Sequence, residues 1–267
     1  MNEPIRILSD LHLGHKISRI ENISALRPLI AGAGTVVFNG DTWQELAKPF
    51  RKRAAEMLDG LRNLCAEEGV EPVFLSGNHD PGWSGPGWLE LAEGKIVIMH
   101  GDALLFDGSP WKREILVSGE RVMELWNQHP RANQDVEERL HVARKIAREL
   151  CSVEHPTGRY LLLRAWDAMR PPQRAVKMLE AWITQASAGA KFCDAYFPKA
   201  EVLIIGHFHR HGSWMSGGRH VINTGSFTNP GRAHWVEWND GWLSRGVIDE
   251  TPESCQKGRT LDVWRWS

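Results

Sequence analysis

The chain has 267 residues, of which 42% are hydrophobic and 24% charged, a composition typical of a globular protein with a sizeable buried core. Its formal net charge is −1, so the chain as a whole has neither the basic field that attracts nucleic acid nor an acidic tail. Any specificity for a polyanion must therefore come from a local patch.

The sequence has no signal for a membrane span or a disulfide framework. No apolar run approaches the roughly 18 residues that a span requires, and the apolar stretch near the N-terminus is too short for a secretory signal. The four cysteines show no CxxC spacing, which is typical of reduced structural thiols. They are Cys65, Cys151, Cys193 and Cys255. We therefore expect a cytoplasmic protein without a transmembrane segment, for which peripheral membrane contact stays open.

The first hundred residues alternate between strand and helix patterns. Short apolar runs predict strands at 5–9, 35–38, 72–75 and 95–99. Helical spacing predicts helices at 17–31 and 50–68, although Pro28 interrupts the first of them. This order is typical of an α/β sheet, whose ligands bind beyond the carboxyl ends of its strands.

The alternation stops between 109 and 199, where no convincing strand occurs and several segments have helical period. This segment holds 15 Lys and Arg against 11 Asp and Glu, a net charge of +4, so the rest of the chain carries −5. We interpret it as a basic helical insertion into one domain that is formed by 1–108 and 200–267.

Strand patterns return after the insertion. Apolar runs at 201–205 and 219–222 again end at polar residues, and further strands are predicted at 234–238, 242–248 and 260–266. The sequence Asn239-Asp240-Gly241 is typical of a hairpin turn. We expect the late strands to form a meander in a second sheet.

Polar residues at five strand ends form the main functional pattern. In extended backbone, residues two apart point to the same side, so Asp10 and His12 can present an oxygen and a nitrogen to one ion. Such a pair alone is a weak signal, because about one Asp-x-His is expected by chance in a chain of this length. Repetition strengthens it, since the strand ends of a sheet converge in space. The sequences are Asp10-Leu11-His12, Gly40-Asp41, Gly77-Asn78-His79-Asp80, His100-Gly101-Asp102 and Gly206-His207-Phe208-His209.

This series resembles the calcineurin-like metallophosphoesterases in all five motifs and in their order. The resemblance covers nearly the whole chain except the insertion and the C-terminal tail. It implies an α/β (α+β) fold, a four-layer α-β-β-α sandwich of two mixed sheets flanked by helices, with a helical insertion. It also implies a metal-dependent hydrolase that cleaves a phosphodiester or pyrophosphate bond.

The resemblance further implies a binuclear metal centre. One ion would be held by Asp10, His12 and His209, a second by Asn78, His100 and His207, and both by a bridging Asp41. Two divalent ions bring +4 and the two carboxylates −2, which leaves about +2 for a phosphate and an attacking hydroxide. Nitrogen and oxygen ligands without a thiolate favour Mn, with Fe or Zn as alternatives, over Mg or Ca.

The resemblance gives His79 and Asp80 catalytic roles. His79 would stabilise charge on the phosphate or protonate the leaving oxygen, and Asp80 would hold the orientation of the His79 ring.

Gln44 departs from the family pattern, because the second motif often has an acid there, and this puts the support of the Asp41 loop in question. Asn223 begins a small-residue turn like the one that closes the pocket in relatives. It is a candidate phosphate contact, although such turns are common in β structure.

The insertion lies where the bacterial UDP-2,3-diacylglucosamine diphosphatases carry a helical lid, which this layout resembles. An apolar inner face of such a lid would cover acyl chains, and its arginines would contact a pyrophosphate. Packing of the lid is the alternative role for its tryptophans. The candidates are Trp111, Trp126, Trp166 and Trp182, with Arg113, Arg121 and Arg164.

The expected substrate is a small phosphoester of the nucleotide-linked lipid kind, and nucleic acid is not an expected partner. A nuclease or cyclic-nucleotide phosphodiesterase is the alternative, because the basic insertion would fit a groove for nucleic acid. A non-catalytic scaffold on the same fold is a further alternative. Such scaffolds usually lose metal ligands, and here none is missing.

Overall fold

The computed structural model describes residues 1–150 and 172–266, which contain eleven strands in two mixed sheets. In chain order the strands are β1 (Ile5–Leu8), β2 (Thr35–Asn39), β3 (Glu71–Leu75), β4 (Trp88–Leu91), β5 (Ile96–Met99), β6 (Val202–Ile205), β7 (Gly212–Ser216), β8 (Arg219–Asn223), β9 (His234–Asn239), β10 (Trp242–Thr251) and β11 (Ser254–Arg265). One sheet has the order β11-β10-β9-β1-β2-β3 and the other β4-β5-β6-β8-β7. Pairing is parallel along β1-β2-β3 and β5-β6-β8, and antiparallel elsewhere.

The described residues also form six α-helices and four short 3₁₀-helices. The α-helices are α1 (Arg27–Ile30), α2 (Arg51–Glu67), α3 (Arg113–Val117), α4 (Gly119–Asn127), α5 (Val136–Leu150) and α6 (Gln173–Tyr196). The 3₁₀-helices are Ile23–Leu26, Ala92–Gly94, Asp102–Leu104 and Pro130–Asn133. Of the helix predicted at 17–31, only the short segments around Pro28 form, because proline starts a new helix rather than continuing one.

Alternation along the central strands produces four layers. In β5, Ile96 and Ile98 pack against the other sheet, while Val97 and Met99 pack against the helical layer that contains Phe192 of α6. Because both faces of the strand are buried, the strand is a continuous apolar run. On the opposite side, helix α2 covers the six-stranded sheet. The sandwich of two mixed sheets between helices is therefore confirmed.

The prediction that the C-terminal meander lies in the second sheet is wrong. Strands β9, β10 and β11 do form an antiparallel meander, but β9 pairs with β1 and so extends the first sheet. The second sheet is built instead from β4 to β8. Hydrophobic alternation predicts a strand but does not identify its partner, which here lies more than 200 residues earlier in the chain.

Between β5 and β6, every described element is helical, and these elements include a small core of their own. That core packs Ile115 of α3 and Leu125 of α4 against Val142 and Ile146 of α5. Across residues 1–150 and 172–266, no helix combines the length and the apolar character that crossing a membrane would need. Cys65, Cys193 and Cys255 are buried free thiols, and Cys151 lies outside the described residues.

Acid sensitivity is expected from His234, the first residue of β9. Its side chain is buried, and burial together with the nearby positive charges of His211 and Arg245 lowers its pKa to about 3. The pKa in the unfolded chain is about 6.5, so the neutral ring stabilises the fold above that pH, and this stabilisation is lost as the pH falls from 6.5 toward 3. In His234→Gln, urea unfolding should therefore show a drop in unfolding free energy between pH 7 and pH 5 that is about 2 kcal/mol smaller than in the wild type. Equal drops would contradict this role of His234.

Candidate metal centre

The carboxyl ends of β1, β2, β3, β5 and β6 carry the ligands expected from the sequence. Five of these ligands have φ between 48° and 64°, and they are five of the eight non-glycine residues with positive φ in the described part of the chain. Non-glycine residues rarely adopt this conformation, and backbone strain of this kind concentrates at functional sites. The five are Asp10, His12, Asp41, His207 and His209.

The first group of donors is Asp10, His12 and His209. Oδ1 of Asp10 lies 3.1 Å from Nε2 of His209 and 3.8 Å from Nε2 of His12, and the two Nε2 atoms are 3.2 Å apart. Burial by itself would raise the pKa of Asp10, but hydrogen bonds with His12 and His209 hold it below its usual range. The group therefore presents an ionised carboxylate and two imidazoles to one point.

The second group is Asp41, His100 and His207, whose potential ligand atoms lie within 4.8 Å of one another. Oδ1 of Asp41 is 3.4 Å from Nε2 of His100, and Oδ2 is 3.7 Å from Nε2 of His12 in the first group. The two oxygens of Asp41 thus face different groups of donors. Burial would raise the pKa of Asp41, but His100 and His79 hold it well below its usual range. The geometry suits a carboxylate that bridges two cations.

Two buried atoms at this centre have no hydrogen-bond partner. In the part of the chain that the structure describes, Oδ1 of Asn78 and Nε2 of His100 are among only six such side-chain atoms. Nδ1 of His100 lies 3.0 Å from the Asn39 carbonyl and donates to it, so Nε2 is the atom that a neutral ring would offer to an ion. Burial would lower the pKa of His100, but Asp41, 3.4 Å from Nε2, raises it well above its usual value. A buried polar atom without a partner costs about 1–3 kcal/mol. These atoms fit a bound ion, and the mixed nitrogen and oxygen donors suit a divalent transition metal.

Gln44 lies between two imidazoles at the centre and is buried. Its Nε2 is 2.7 Å from Nδ1 of His12, and its Oε1 is 3.0 Å from Nδ1 of His79. Nε2 of His79 faces the centre, 3.9 Å from Oδ2 of Asp41 and 3.4 Å from Nζ of Lys112. The residue that departs from the family pattern therefore supports the site directly, and Gln44 rather than Asp80 contacts the ring of His79.

Asp80 organises backbone instead. Its Oδ1 accepts hydrogen bonds from the N–H groups of Gly77 and Asp41, both at 2.9 Å, and its Oδ2 accepts from the N–H of Thr42 at 2.8 Å. Nε1 of Trp83 donates to the same Oδ2 at 3.1 Å. The expected contact between Asp80 and the ring of His79 is absent, because both carboxylate oxygens bind these donors. Asp80 thus ties the Asp41 loop to the loop that carries Asn78 and His79.

Removing this carboxylate should destabilise the protein. Asp80→Ala leaves buried N–H groups of two loops without an acceptor, so we expect the unfolding free energy to fall by about 3 kcal/mol or more, measured by urea denaturation. Asp59→Ala is the matched control, because Asp59 is an exposed carboxylate on α2. A loss below about 1 kcal/mol in Asp80→Ala would contradict the tie between the loops.

Of the expected substrate-binding residues, Trp111 reaches a cavity of about 460 Å³ at the centre, with its ring 5.0 Å from that of His207. Asn223 is buried and does not line the cavity, and its amide nitrogen donates to the side-chain oxygen of Gln185 and to the carbonyl of Gly206. Arg113 is exposed and does not line the cavity. Arg121 does not line it either and pairs with Glu124 and Glu149.

Of the remaining lid candidates, one lines the cavity and one lies away from it. Trp182 lines the cavity, whereas the indole of Trp126 donates to the Phe106 carbonyl away from it. Trp166 and Arg164 lie outside the described residues. The cavity is also lined by three cations that were not predicted from the sequence, because no motif surrounds them. They are Lys112, Arg210 and Arg232.

Comparisons with known proteins give weak likenesses only. No family model matches the chain, and no curated protein matches it. A dimetal phosphatase from Danio rerio is 12% identical, with 99% of this chain and 100% of that chain covered and a TM-score of 0.47. A single mutant of Vps29 from Entamoeba histolytica is 15% identical, with 98% and 99% covered and a TM-score of 0.46. A protein from Streptococcus pneumoniae, described as a predicted phosphoesterase, is 16% identical, with 100% and 99% covered and a TM-score of 0.39. At these identities and scores, the likenesses assign neither a family nor an activity to the chain.

Proposed function

We propose that the chain is a phosphoesterase that works with two divalent metal ions. The observation that carries this proposal is the convergence of six carboxylate and imidazole donors beside one cavity, which Asn78 also lines, with two buried ligand atoms left without a partner. In this proposal Asp10, His12 and His209 would hold one ion, Asn78, His100 and His207 would hold the other, and Asp41 would be shared between them. Manganese is the first candidate metal, with iron or zinc as alternatives, because the donors are nitrogen and oxygen without a thiolate.

The residues around the ions divide the chemical work. When bound, two such ions would offset the charge of a phosphoryl group and lower the pKa of water, so that a nucleophile forms near neutral pH. His79 presents its Nε2 to the same cavity, where it can donate a hydrogen bond to a phosphoryl or leaving oxygen. Asp80 holds the two loops together, and Gln44 holds the ring of His79.

The substrate in this proposal is a small phosphodiester or pyrophosphate. Trp111, Trp182 and Phe208 give the cavity apolar walls, which would suit an aromatic or acyl group next to the phosphorus. A nucleotide-linked lipid combines both features and is the specific substrate class proposed. Residues 109–199 would then act as a lid on the domain formed by 1–108 and 200–267, in a cytoplasmic protein that touches a membrane at most peripherally.

The proposal is tested by metal content and turnover together. Purified protein should bind about two transition-metal ions by elemental analysis and hydrolyse bis(p-nitrophenyl) phosphate in Mn²⁺. Under the same condition, UDP-diacylglucosamine, cyclic nucleotides and single-stranded DNA are then compared. Cleavage of DNA alone would favour the nuclease alternative. Protein that binds no metal and hydrolyses none of these compounds would contradict the proposal and leave the scaffold alternative.

A further inference from the structure

Cations outnumber carboxylates among the described residues that line the cavity at the centre. Among the described residues that line it, Asp41 is the one carboxylate, and its oxygens face the two groups of metal donors. Lys112, Arg210 and Arg232 line the same cavity. Within residues 1–150 and 172–266, none of these three cations forms an ion pair with a carboxylate. A single phosphodiester carries only one negative charge, so this lining is suited to a substrate with more anionic groups.

The surrounding structure holds the side chain of Arg210 and the backbone of Arg232. Nη1 of Arg210 donates to the Trp182 carbonyl at 2.8 Å, and its guanidinium lies 5.6 Å from the centre of the Trp214 ring. The carbonyl of Arg232 accepts the Ser226 N–H at 3.0 Å. A Cβ at Gly225, which has a φ of +74°, would lie 2.0 Å from that carbonyl oxygen, so only glycine allows the two segments to approach so closely.

The loop that carries Arg232 also contacts a metal donor. Oγ1 of Thr228 lies 3.1 Å from Nδ1 of His209, so this loop fixes His209 and places Arg232 on the same cavity. Trp111, Trp182 and Phe208 supply apolar surface in that cavity as well. The cavity therefore combines a metal centre, apolar walls and a pair of arginines.

We infer that the substrate carries a second phosphate group, which Arg210 and Arg232 bind while an aromatic or apolar part of the substrate lies against Trp111. This inference rests on the proposed function, because it identifies the substrate class of that site. Arginine suits the task, since its planar guanidinium pairs with phosphate oxygens in a bidentate manner.

The test compares two nucleotides that differ by one phosphate. Isothermal titration calorimetry of the Zn²⁺-loaded protein should show that thymidine 3′,5′-bisphosphate binds about tenfold more tightly than thymidine 5′-phosphate. Arg232→Gln should abolish this preference, and Arg113→Gln, which changes an exposed arginine outside the cavity, should keep it. Equal dissociation constants in the wild type, or a preference that survives in Arg232→Gln, would overturn the inference. Because binding needs no turnover, this result is separate from the hydrolysis test of the proposed function.

A second inference comes from the hydrogen bonds of Gln44. A side-chain amide has one donating end and one accepting end, and the ends can be exchanged by a 180° rotation that hardly changes the shape of the group. Both ends of Gln44 contact Nδ1 atoms, one of His12 and one of His79. In neutral rings, therefore, one Nδ1 carries a hydrogen and the other does not.

The role of His12 decides which of the two Nδ1 atoms carries the hydrogen. Its Nε2 faces Asp10, Asp41 and His209, so it is the atom that would bind a metal in the proposed function. A neutral ring that binds metal through Nε2 carries its hydrogen on Nδ1 and donates it to the oxygen of the amide. The amide of Gln44 is then rotated by 180° from the orientation given above, and its nitrogen donates to Nδ1 of His79. The geometry points to Gln44 as a positioning residue that places the hydrogen of His79 on Nε2, the atom that faces the cavity.

A carboxylate at position 44 would have the opposite effect. It would accept hydrogen bonds from both Nδ1 atoms and leave Nε2 of the neutral His79 ring without a hydrogen to donate. With Gln44 in place, Nε2 of His79 carries a hydrogen and cannot accept a hydrogen bond from Nζ of Lys112, 3.4 Å away. The ammonium group of Lys112 is then left to bind the substrate.

Nitrogen-15 NMR of the histidine rings tests this assignment in protein loaded with diamagnetic Zn²⁺. The pattern of long-range ¹⁵N–¹H correlations should show the Nε2–H form of His79 in the wild type and the Nδ1–H form in Gln44→Glu, a change that a merely structural role would not produce. An Nδ1–H form of His79 in the wild type, or the same form in both proteins, would overturn the inference. The wild-type spectrum decides the question even if the variant does not fold, and neither spectrum depends on turnover.

Discussion

Asp41→Asn should abolish hydrolysis and reduce the bound metal from about two ions to at most one. The two oxygens of Asp41 face different groups of donors, so this one carboxylate is the element that joins them. An amide has nearly the same volume but no charge and only one oxygen, so it cannot offset the charge of two cations. We expect a loss of turnover of about 10³-fold or more with bis(p-nitrophenyl) phosphate, because in the proposed function the two ions would supply the nucleophile.

The same substitution preserves a structural contact, which makes the result interpretable. Oδ1 of Asp41 accepts the N–H of His79 at 2.7 Å, and the oxygen of asparagine can keep this hydrogen bond. Asp59→Asn, at an exposed site on α2, controls for the general effect of removing a carboxylate. Two ions and full turnover in a folded Asp41→Asn protein would contradict the assignment of the centre. Circular dichroism establishes whether the variant is folded.

The fold was predictable from sequence where a strand is buried on both faces. Residues 96–99 are an uninterrupted apolar run because one face packs on the other sheet and one on helices. Strands β4 and β7 were missed, since they lie at the edges of the second sheet and are only partly buried. Such strands have no strong alternation. The sheet to which the meander belongs was predicted wrongly, because strand pairing between β9 and β1 is not encoded locally.

In the site too, residues that belong to short motifs were predicted from the sequence, and residues whose contacts come from distant parts of the chain were not. His12 and His209 could be proposed as metal ligands because short motifs place them at strand ends. Gln44 could not be given a role in the same way, since its two contacts lie on different loops and depend on the folded geometry. Arg232 has no motif around it, and the close approach of its backbone to Gly225 is visible only in the folded chain. Residues that surround a centre are thus harder to predict than the centre itself.

His79→Gln should lower turnover by about 10²–10⁴-fold and leave the metal content unchanged. Nε2 of His79 lies in the cavity, and Gln44 and Lys112 are its close neighbours there. A group that donates to the leaving oxygen matters more when that oxygen is a poor leaving group. The loss should therefore be larger for a phenyl ester of a phosphodiester than for its p-nitrophenyl counterpart, and a rate series over several phenols measures the difference.

Metal analysis of the same variant separates two roles that the geometry of His79 allows. Its ring lies within 4.8 Å of ligand atoms of His12 and Asp41, so it could also complete a third set of donors. Loss of an ion in His79→Gln would move His79 into the metal-binding set, whereas full metal content with a steeper dependence on the leaving group would assign it to the substrate. His141→Gln, at an exposed histidine of α5, should alter neither quantity, because its ring does not line the cavity.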